Sequence, residues 1–236
     1  MEKNSIEKCI NRLQDEEKQF LSKYTLKLND ILIRPTEIEA YYHKINNFED
    51  NSVHQNELQR NNFNHFYIHR WGKAKTDAYK GGNYPGLDFV ISGDKDTYYS
   101  YLIRSAVISN SLKVDSNKVI VGPNKVLKAI KEATDFSFKD IENTLVEMVP
   151  NDIPCNVLFS TRIGLGQKVE QEYKSSELRA VLCDDCWFRI TKYPAKETVI
   201  INFLTKKILL QEITKEEALK YAKEKLGYVP KKIKES

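Results

Sequence analysis

The sequence lacks the features that mark secreted and membrane proteins. It has four cysteines, of which only Cys183 and Cys186 lie close together, so no disulfide framework is indicated. No apolar stretch approaches the roughly 20 residues that a membrane-spanning helix needs. Residues 1–20 carry charges throughout, unlike the apolar core of a signal peptide. We therefore expect an intracellular protein, in the cytoplasm or nucleoid, with no membrane association.

The chain also lacks a strong excess of either charge. Lys and Arg number 37 and Asp and Glu number 33, a net charge of +4. Such mild basicity is compatible with nucleic-acid binding but does not indicate it. Of the 236 residues, 41% are hydrophobic and 30% charged, as is typical of a protein with a packed core. Because no linker, repeat or low-complexity segment divides the chain, we expect one domain over residues 1–236.

Glycine is scarce, with nine residues, and none has the spacing of a Walker phosphate loop, which excludes nucleotide hydrolysis of that kind. The Gly-Leu-Gly at residues 164–166 is too weak a pattern to indicate a dinucleotide-binding fold. Residues 72–86 hold four of the glycines together with Lys73, Lys75 and Lys80. This composition predicts a long basic loop whose backbone can approach phosphate groups closely.

A metal site is not predicted either. Cys183 and Cys186 have the spacing of half a zinc site, and His65 and His69 are the candidates for the other half. On a strand these two histidines would lie roughly 13 Å apart, too far for one ion. We therefore predict a hairpin turn with two reduced thiols, and no metal.

Apolar periodicity gives a coarse secondary structure. It predicts helices at residues 5–23, 124–133, 135–145 and 214–226. Strands are predicted at residues 26–33 (with a turn at Asn29-Asp30), 65–71, 87–92, 98–108, 155–161, 178–182, 187–190 and 198–210, and those at 87–92 and 98–108 form a hairpin. Residues 46–64 are predicted as a polar loop that contains His54 and leaves room for a short helix, and residues 231–234 as a frayed tail.

Charged residues in apolar segments provide the first functional candidates. Glu37 and Glu39 stand two apart in an extended segment, so their side chains share one face. Most such pairs are solvated acidic edges, whereas carboxylates gathered at a site can act as bases. Asp88 and Arg104 lie within apolar predicted strands. Because a buried charge needs a partner, they either form a structural ion pair or line a site.

Four segments, taken in order, resemble the alkyladenine (3-methyladenine) DNA glycosylase family. They are Glu37-Ile38-Glu39-Ala40-Tyr41, similar to the family's E-T-E-A-Y; Tyr101 to Ala106, similar to its L-L-R-A strand; Gly122 to Ile130, similar to its G-P-x-K-L-x-x-A-L helix start; and Ser160 to Gly166 with Leu178-Arg179 and Trp187, similar to R-I-G-x-G and its trailing strands. The resemblance covers residues 30–192.

The resemblance implies a single-domain α+β fold, in which helices surround a curved antiparallel sheet of the methylpurine glycosylase or formyltransferase C-terminal-domain type. In this arrangement residues 1–24 form an N-terminal helix, residues 30–192 form the core, and residues 193–236 add a strand and helix extension. It also implies a base-excision repair enzyme that flips alkylated or deaminated purines out of duplex DNA and removes them hydrolytically. The family uses no metal or organic cofactor, and we expect a monomer.

The resemblance also implies roles for single residues. Glu39 matches the base that activates water, and Arg104 matches the arginine that holds that water. Tyr41 matches an aromatic that stacks on the flipped base, His54 matches a pocket histidine, and Asp88 stands where the family usually has a pocket asparagine. The remaining candidates are Tyr67 as a pocket aromatic, Trp71 and Tyr84 as the DNA wedge, and Lys73, Lys75 and Lys80 as phosphate contacts.

The sequence departs from the family in ways that leave alternatives open. The strand before Glu37 is abbreviated, the tyrosine-rich strand does not align cleanly, and extra residues separate Trp71 from Asp88. One alternative is a nucleic-acid-binding protein on the same fold with altered chemistry. Another is a small-molecule hydrolase that uses Glu37 and Glu39.

Overall fold

The computed structural model describes residues 3–82, 84–109, 119–151, 156–183 and 195–235. The long strand β2 (Ile31–Lys44) lies at the centre of its sheet. Along one edge of β2 runs β6 (Thr97–Ser109), and along the other edge β1 (Tyr24–Leu28), β10 (Arg179–Cys183) and β3 (Phe48–Glu49) pair in turn. The segment that contains Glu37 and Glu39 is therefore paired on both sides.

The other strands extend this sheet from its two sides. On the β6 side lie β5 (Leu87–Val90), β4 (Phe66–Ile68) and β7 (Val119–Val121); β8 (Glu147–Pro150) pairs with β1, and β9 (Asn156–Ser160) pairs with β10. All these pairings are antiparallel, and the ten strands form one curled sheet. The expected hairpin of residues 87–92 and 98–108 is confirmed.

Helices complete a mixed α+β single domain, as expected. They are α1 (Lys3–Lys23), α2 (Glu57–Asn61), α3 (Pro123–Thr134), α4 (Phe138–Asn143), α5 (Gln171–Ser175), α6 (Ala195–Leu209), α7 (Lys215–Leu226) and α8 (Lys231–Glu235). The amphipathic helix α1 buries Leu13, Phe20 and Leu21 against the sheet, and the ring of Phe20 stacks on Phe89 at 5.7 Å. No helix in the described ranges is long and apolar enough to cross a membrane.

A local irregularity in the central ladder shapes the site. Between the pairs Pro35–Ala106 and Ile38–Ile103 the register shifts, so that Thr36 on β2 and Arg104 on β6 have no direct partner. Bulges of this kind bend a strand and re-aim side chains, and they are frequent beside active sites. Here the irregularity places the Arg104 side chain against the carboxylates of β2.

The C-terminal region corrects two predictions. Residues 198–210 are predicted as a strand, but residues 198–209 lie in helix α6, and the tail expected to fray forms α8. The run of Val and Ile suggested a strand, but Val199, Ile200 and Leu204 lie on one helical face that is buried with Leu158 of β9. Tertiary packing thus overrides the intrinsic β propensity of this segment.

Other predicted elements differ in extent or lie outside the described residues. The helix predicted at 135–145 is shorter, and its predicted cap Ser137 forms a capping box with Asp140. The strand predicted at 65–71 is only three residues long. The closing helix α7 begins at the predicted cap Thr214 and ends at Gly227, which has a φ of 80°. The strand predicted at 187–190 and the residues Cys155, Cys186 and Trp187 lie outside the described residues.

Candidate active site

Glu39 lies at the centre of β2 and has no exposed surface. Its Oε1 accepts a hydrogen bond from the backbone N–H of Ile163 at 2.8 Å, and Oε2 accepts one from the hydroxyl of Tyr41 at 3.1 Å. Arg104 Nη1 lies 3.2 Å from Oε1. Groups from three segments therefore orient this carboxylate.

Arg104 joins the two carboxylates of β2. Its Nε donates to Glu37 Oε1 at 3.2 Å while Nη1 faces Glu39, which confirms that the two glutamates share one face. Burial works against the charged guanidinium, but the carboxylates of Glu39 and Glu37 outweigh it and raise the pKa of Arg104. The side chain keeps 18% of its surface exposed, so the ion pair with Glu39 reaches the protein surface.

Glu37 has a different environment from Glu39. The fully buried guanidinium of Arg179 donates from Nε to Glu37 Oε1 at 2.7 Å, and its Nη2 lies 2.6 Å from the same oxygen. Glu37 is thus held between two arginines and supports the position of Arg104. Because two arginines bind the same oxygen of Glu37 and Glu37 is not among the residues that line the cavity beside Tyr41, it is not placed to act as a second catalytic carboxylate there.

A cavity of about 260 Å³ opens beside this group. Its lining residues are Tyr41, Asn51, Ser52, His54, Gln59, His69, Asp88, Gly164, Leu165, Gly166 and Val169. Three of the predicted pocket residues, Tyr41, His54 and Asp88, therefore come together, although the sequence separates them by up to 47 positions. The Gly-Leu-Gly segment forms one wall, directly after Ile163, whose amide holds Glu39.

Tyr41 lines the cavity and also donates a hydrogen bond to Glu39. The guanidinium of Arg162 lies 4.9 Å from the centre of the Tyr41 ring, and Arg162 also donates to the backbone carbonyls of Ala40 and Tyr173. Burial and the nearby Glu39 carboxylate raise the pKa of the Tyr41 phenol. The hydroxyl therefore stays protonated and donates to Glu39. Sequence reasoning quoted Arg162 only as part of a motif and missed this supporting role.

His54 is held as a neutral imidazole. Burial lowers its pKa to about 3, and His69 and Lys80 contribute to the shift. Lys80 Nζ lies 2.8 Å from Nε2, and the hydroxyl of Tyr67 lies 3.3 Å from Nδ1. Since an ammonium can only donate, His54 accepts at Nε2 and carries its proton on Nδ1.

Two further predicted residues contact His54. Tyr67, expected as a pocket aromatic, is fully buried and is not among the residues that line the cavity. Lys80, expected to contact phosphate, is half-buried and faces His54, and burial lowers its pKa.

Asp88 is a buried acceptor whose two oxygens are both engaged. Its Oδ1 lies 2.7 Å from His69 Nε2, and Oδ2 accepts from the hydroxyl of Ser100 at 2.7 Å and from Gln59 Nε2 at 3.3 Å. Burial alone would raise the pKa of Asp88, but the interactions with His69, His54 and Ser100 lower it. Asp88 and Arg104 do not pair with each other; of the two alternatives left open for them, Asp88 lines the cavity, and Arg104 pairs with Glu37 and Glu39.

Two aromatic side chains project from the loop beside the cavity. Trp71 is 66% exposed and Tyr84 is 72% exposed, and their rings lie 6.4 Å apart. Lys73 and Lys75 are exposed on the same loop, and Lys73 Nζ donates to the side chain of Gln55 at 2.8 Å. The predicted wedge residues and two of the three predicted lysines thus share one surface.

No group of three or more His, Cys, Asp and Glu side chains in the described ranges has the arrangement of a metal site. His65 Nδ1 lies 2.9 Å from the carbonyl of Phe63, whereas His69 pairs with Asp88, so the two histidines have separate partners. Sequence reasoning used His69 only to reject zinc and missed its place in the cavity. Compared with known proteins, the chain matches no family model and no curated protein.

Proposed function

We propose that this protein is a DNA glycosylase of base-excision repair, in which Glu39 activates the water that cleaves the N-glycosidic bond of a damaged purine. The observation that carries the proposal is the Glu39–Arg104 pair beside a cavity walled by Tyr41, His54 and His69. We further propose that the enzyme acts as a monomer.

The cavity has the features that a flipped base requires. An enzyme that acts on a base in a duplex must extrude the nucleotide into a pocket, where flat side chains stack on it. Tyr41, His54 and His69 are flat groups on the cavity walls. Backbone groups of residues 164–166 form a further wall, at which the sugar and the base edge can approach closely.

The carboxylate of Glu39 suits the chemistry of the hydrolysis. The bond breaks through an oxocarbenium-like transition state, which a nearby negative charge stabilises. The same carboxylate can accept the proton of the attacking water. Tyr41, Ile163 and Arg104 fix its orientation through the contacts at 3.1, 2.8 and 3.2 Å.

The exposed aromatic pair and the basic loop suit the DNA side of the reaction. Trp71 and Tyr84 have the size and exposure to fill the gap that the flipped nucleotide leaves in the duplex. Lys73 and Lys75 stand on the same loop, where they can neutralise phosphates on either side of the lesion.

The proposal is tested by incubating the protein with duplexes that contain hypoxanthine, ethenoadenine, 3-methyladenine or 7-methylguanine, and by measuring release of the free base. We expect release of at least one of these bases, together with an abasic site. An undamaged duplex of the same sequence is the control. If no damaged base is released at any enzyme excess, the proposal is wrong.

One observation favours a second candidate, a binding protein that recognises damaged duplexes without cleaving them. Glu39 has no exposed surface, and both of its oxygens are already engaged. This candidate predicts tighter binding to a lesion duplex than to the matched undamaged one, with no base release. A competition assay with single-stranded RNA, run beside the release assay, shows whether the same surface prefers RNA.

A further inference from the structure

Arg34 on β2 is an arginine that the proposed chemistry does not use and that has no partner in the described part of the chain. Seven arginines lie in the described ranges, and six of them donate to an oxygen at 3.2 Å or less. Arg34 forms no hydrogen bond or ion pair with any described residue. Its side chain is half-buried, and Nε has no accessible surface, whereas Nη1 and Nη2 retain some. The outer edge of this guanidinium is therefore open to a ligand.

The pairing of the strands places Arg34 on the face of the sheet that carries the site. Arg34 lies opposite Val107 of β6, and residues directly opposite in an antiparallel pair share a face. Val107 belongs to a small apolar cluster separate from the main core, whereas Ile33, the neighbour of Arg34, is buried in the main core. Ile38 is buried in the main core as well, so Glu39, the next residue along β2, projects to the same face as Arg34.

The unpaired guanidinium favours an anionic ligand from outside the chain. A buried N–H without an acceptor costs free energy, and a partly buried cation without a counter-charge costs more. Within the described ranges, no carboxylate supplies that counter-charge. The planar fork of a guanidinium matches the oxygens of a phosphate group, which it binds through two parallel hydrogen bonds. The missing partner of Arg34 therefore has the chemistry of a phosphate.

The distance from Glu39 indicates which phosphate of a bound duplex this is. Leu102 lies opposite Glu39 and Val107 lies opposite Arg34, so the two pairs are five residues apart along β6. At about 3.4 Å per residue, they are separated by roughly 17 Å. Each strand of duplex DNA carries a phosphate about every 3.4 Å along the helix axis, so this separation corresponds to about five nucleotides.

We propose that Arg34 binds a backbone phosphate of duplex DNA about five nucleotides to one side of the damaged purine. The inference rests on the proposed function, and it adds a contact on the central strand to those of Lys73 and Lys75 on the basic loop. Inorganic phosphate presents the same oxygens to a guanidinium, so the experiment separates these two sources of phosphate.

The test measures duplex affinity against salt concentration for the wild type and for Arg34→Gln, which keeps a polar side chain without the charge. Loss of one phosphate contact should lower the slope of log affinity against log salt by about 0.9, on damaged and undamaged duplexes alike. The matched control is Arg12→Gln, since Arg12 lies on α1 and pairs with Glu16 at 2.7 Å. This control should keep the wild-type slope.

Shortened duplexes locate the contact. When the duplex ends about three base pairs from the lesion on one side, no phosphate on that side reaches Arg34. The difference between the wild type and Arg34→Gln should therefore vanish for one of the two truncated ends and persist for the other. An unchanged slope in Arg34→Gln, or a difference that neither truncation removes, overturns the assignment.

Two further measurements separate DNA binding from other roles of Arg34. Because Arg34 has no described partner to lose, Arg34→Gln should unfold at the same urea concentration as the wild type or a higher one. A lower unfolding midpoint with unchanged duplex affinity would make Arg34 a structural residue and overturn the proposal. Inorganic phosphate, titrated at constant ionic strength, should not raise the midpoint of the wild type. A rise that Arg34→Gln abolishes, with an unchanged salt slope, would make free phosphate the ligand and also overturn it.

The base-release assay reports on the proposed function separately. If the wild type releases a damaged base while Arg34→Gln keeps the wild-type salt slope, the contact at Arg34 is wrong and the proposed function stands. If the wild type neither releases a base nor binds a duplex, both are wrong.

Discussion

Replacing Arg104 by Met should destabilise the protein strongly, even though part of the Arg104 side chain is exposed to solvent. The substitution keeps most of the apolar stem but leaves Glu39, which has no exposed surface, without a cation. Glu37 retains Arg179 at 2.6 Å, so most of the cost falls on Glu39. Removing one partner of a buried ion pair costs about 3–5 kcal/mol, and because Arg104 keeps 18% of its surface in water we expect about 3 kcal/mol.

The assay is a double-mutant cycle by urea unfolding with Glu39→Gln as the second change. The glutamine keeps an acceptor oxygen for the N–H of Ile163 but carries no charge. The loss of unfolding free energy caused by Arg104→Met should therefore be smaller in the Glu39→Gln background. We expect a coupling free energy of about 0.5–3 kcal/mol, the range for residues in direct contact. The slope of the unfolding free energy against urea should stay constant across the four proteins.

An exposed ion pair provides the control. Arg12 and Glu16 are closer, at 2.7 Å, but their side chains are 46% and 36% exposed. Such surface pairs at i,i+4 contribute only about 0.3–0.5 kcal/mol. Two results would show that burial does not couple Arg104 to Glu39. One is a loss of unfolding free energy in Arg12→Met as large as that in Arg104→Met. The other is a double-mutant cycle in which the losses from Arg104→Met and Glu39→Gln simply add.

Three further predictions concern the surroundings of the site. Burial raises the pKa of Glu17 well above 4.5, so the contribution of Glu17 to the free energy of unfolding is full below pH 4.5 and is lost as pH rises through the folded pKa. When urea unfolding is measured at several pH values, Glu17→Gln should remove this decline. The exposed control Glu7→Gln should not. Burial lowers the pKa of His54 from 6.5 to about 3, so the ring should remain neutral in an NMR titration down to about pH 4. The free energy of unfolding should fall as pH drops from 6.5 towards 3. A titration midpoint near 6.5 would contradict the burial of this ring. Replacing Lys73 and Lys75 together by Ala should lower the slope of log affinity for DNA against log salt by about two, and an unchanged slope would place the loop away from DNA.

Local patterns predicted most of the central sheet. The alternation of residues 26–33 and the Asn29-Asp30 turn gave a hairpin whose Asn29 has a φ of 52°, as a tight turn requires. The shared face of Glu37 and Glu39 followed from the period of two in a strand. These features depend on neighbouring residues only, which is why the sequence alone sufficed.

The features that could not be predicted depend on tertiary packing. Residues 198–210 look like a strand in isolation, and only their packing on β9 makes them a helix. The pairing of Arg104 with the β2 carboxylates rather than with Asp88 depends on a register shift that no local pattern shows. The position of the His69 ring depends on Gly86, which lies 17 positions away in the chain and opposite it in space. The space that Gly86 leaves for this ring is visible only once the strands are paired.

The release rate of Glu39→Gln on a base that the wild type excises tests the central claim most directly. Single-turnover conditions with enzyme in excess separate the chemical step from binding, and affinity for the same duplex is measured in parallel. Since a general base contributes about 10²- to 10⁴-fold, we predict a loss of that size in the rate with affinity retained. The matched control is Glu132→Gln, on the exposed face of α3, which should excise at the wild-type rate. Release by Glu39→Gln at the wild-type rate would contradict the assignment of Glu39 as the base.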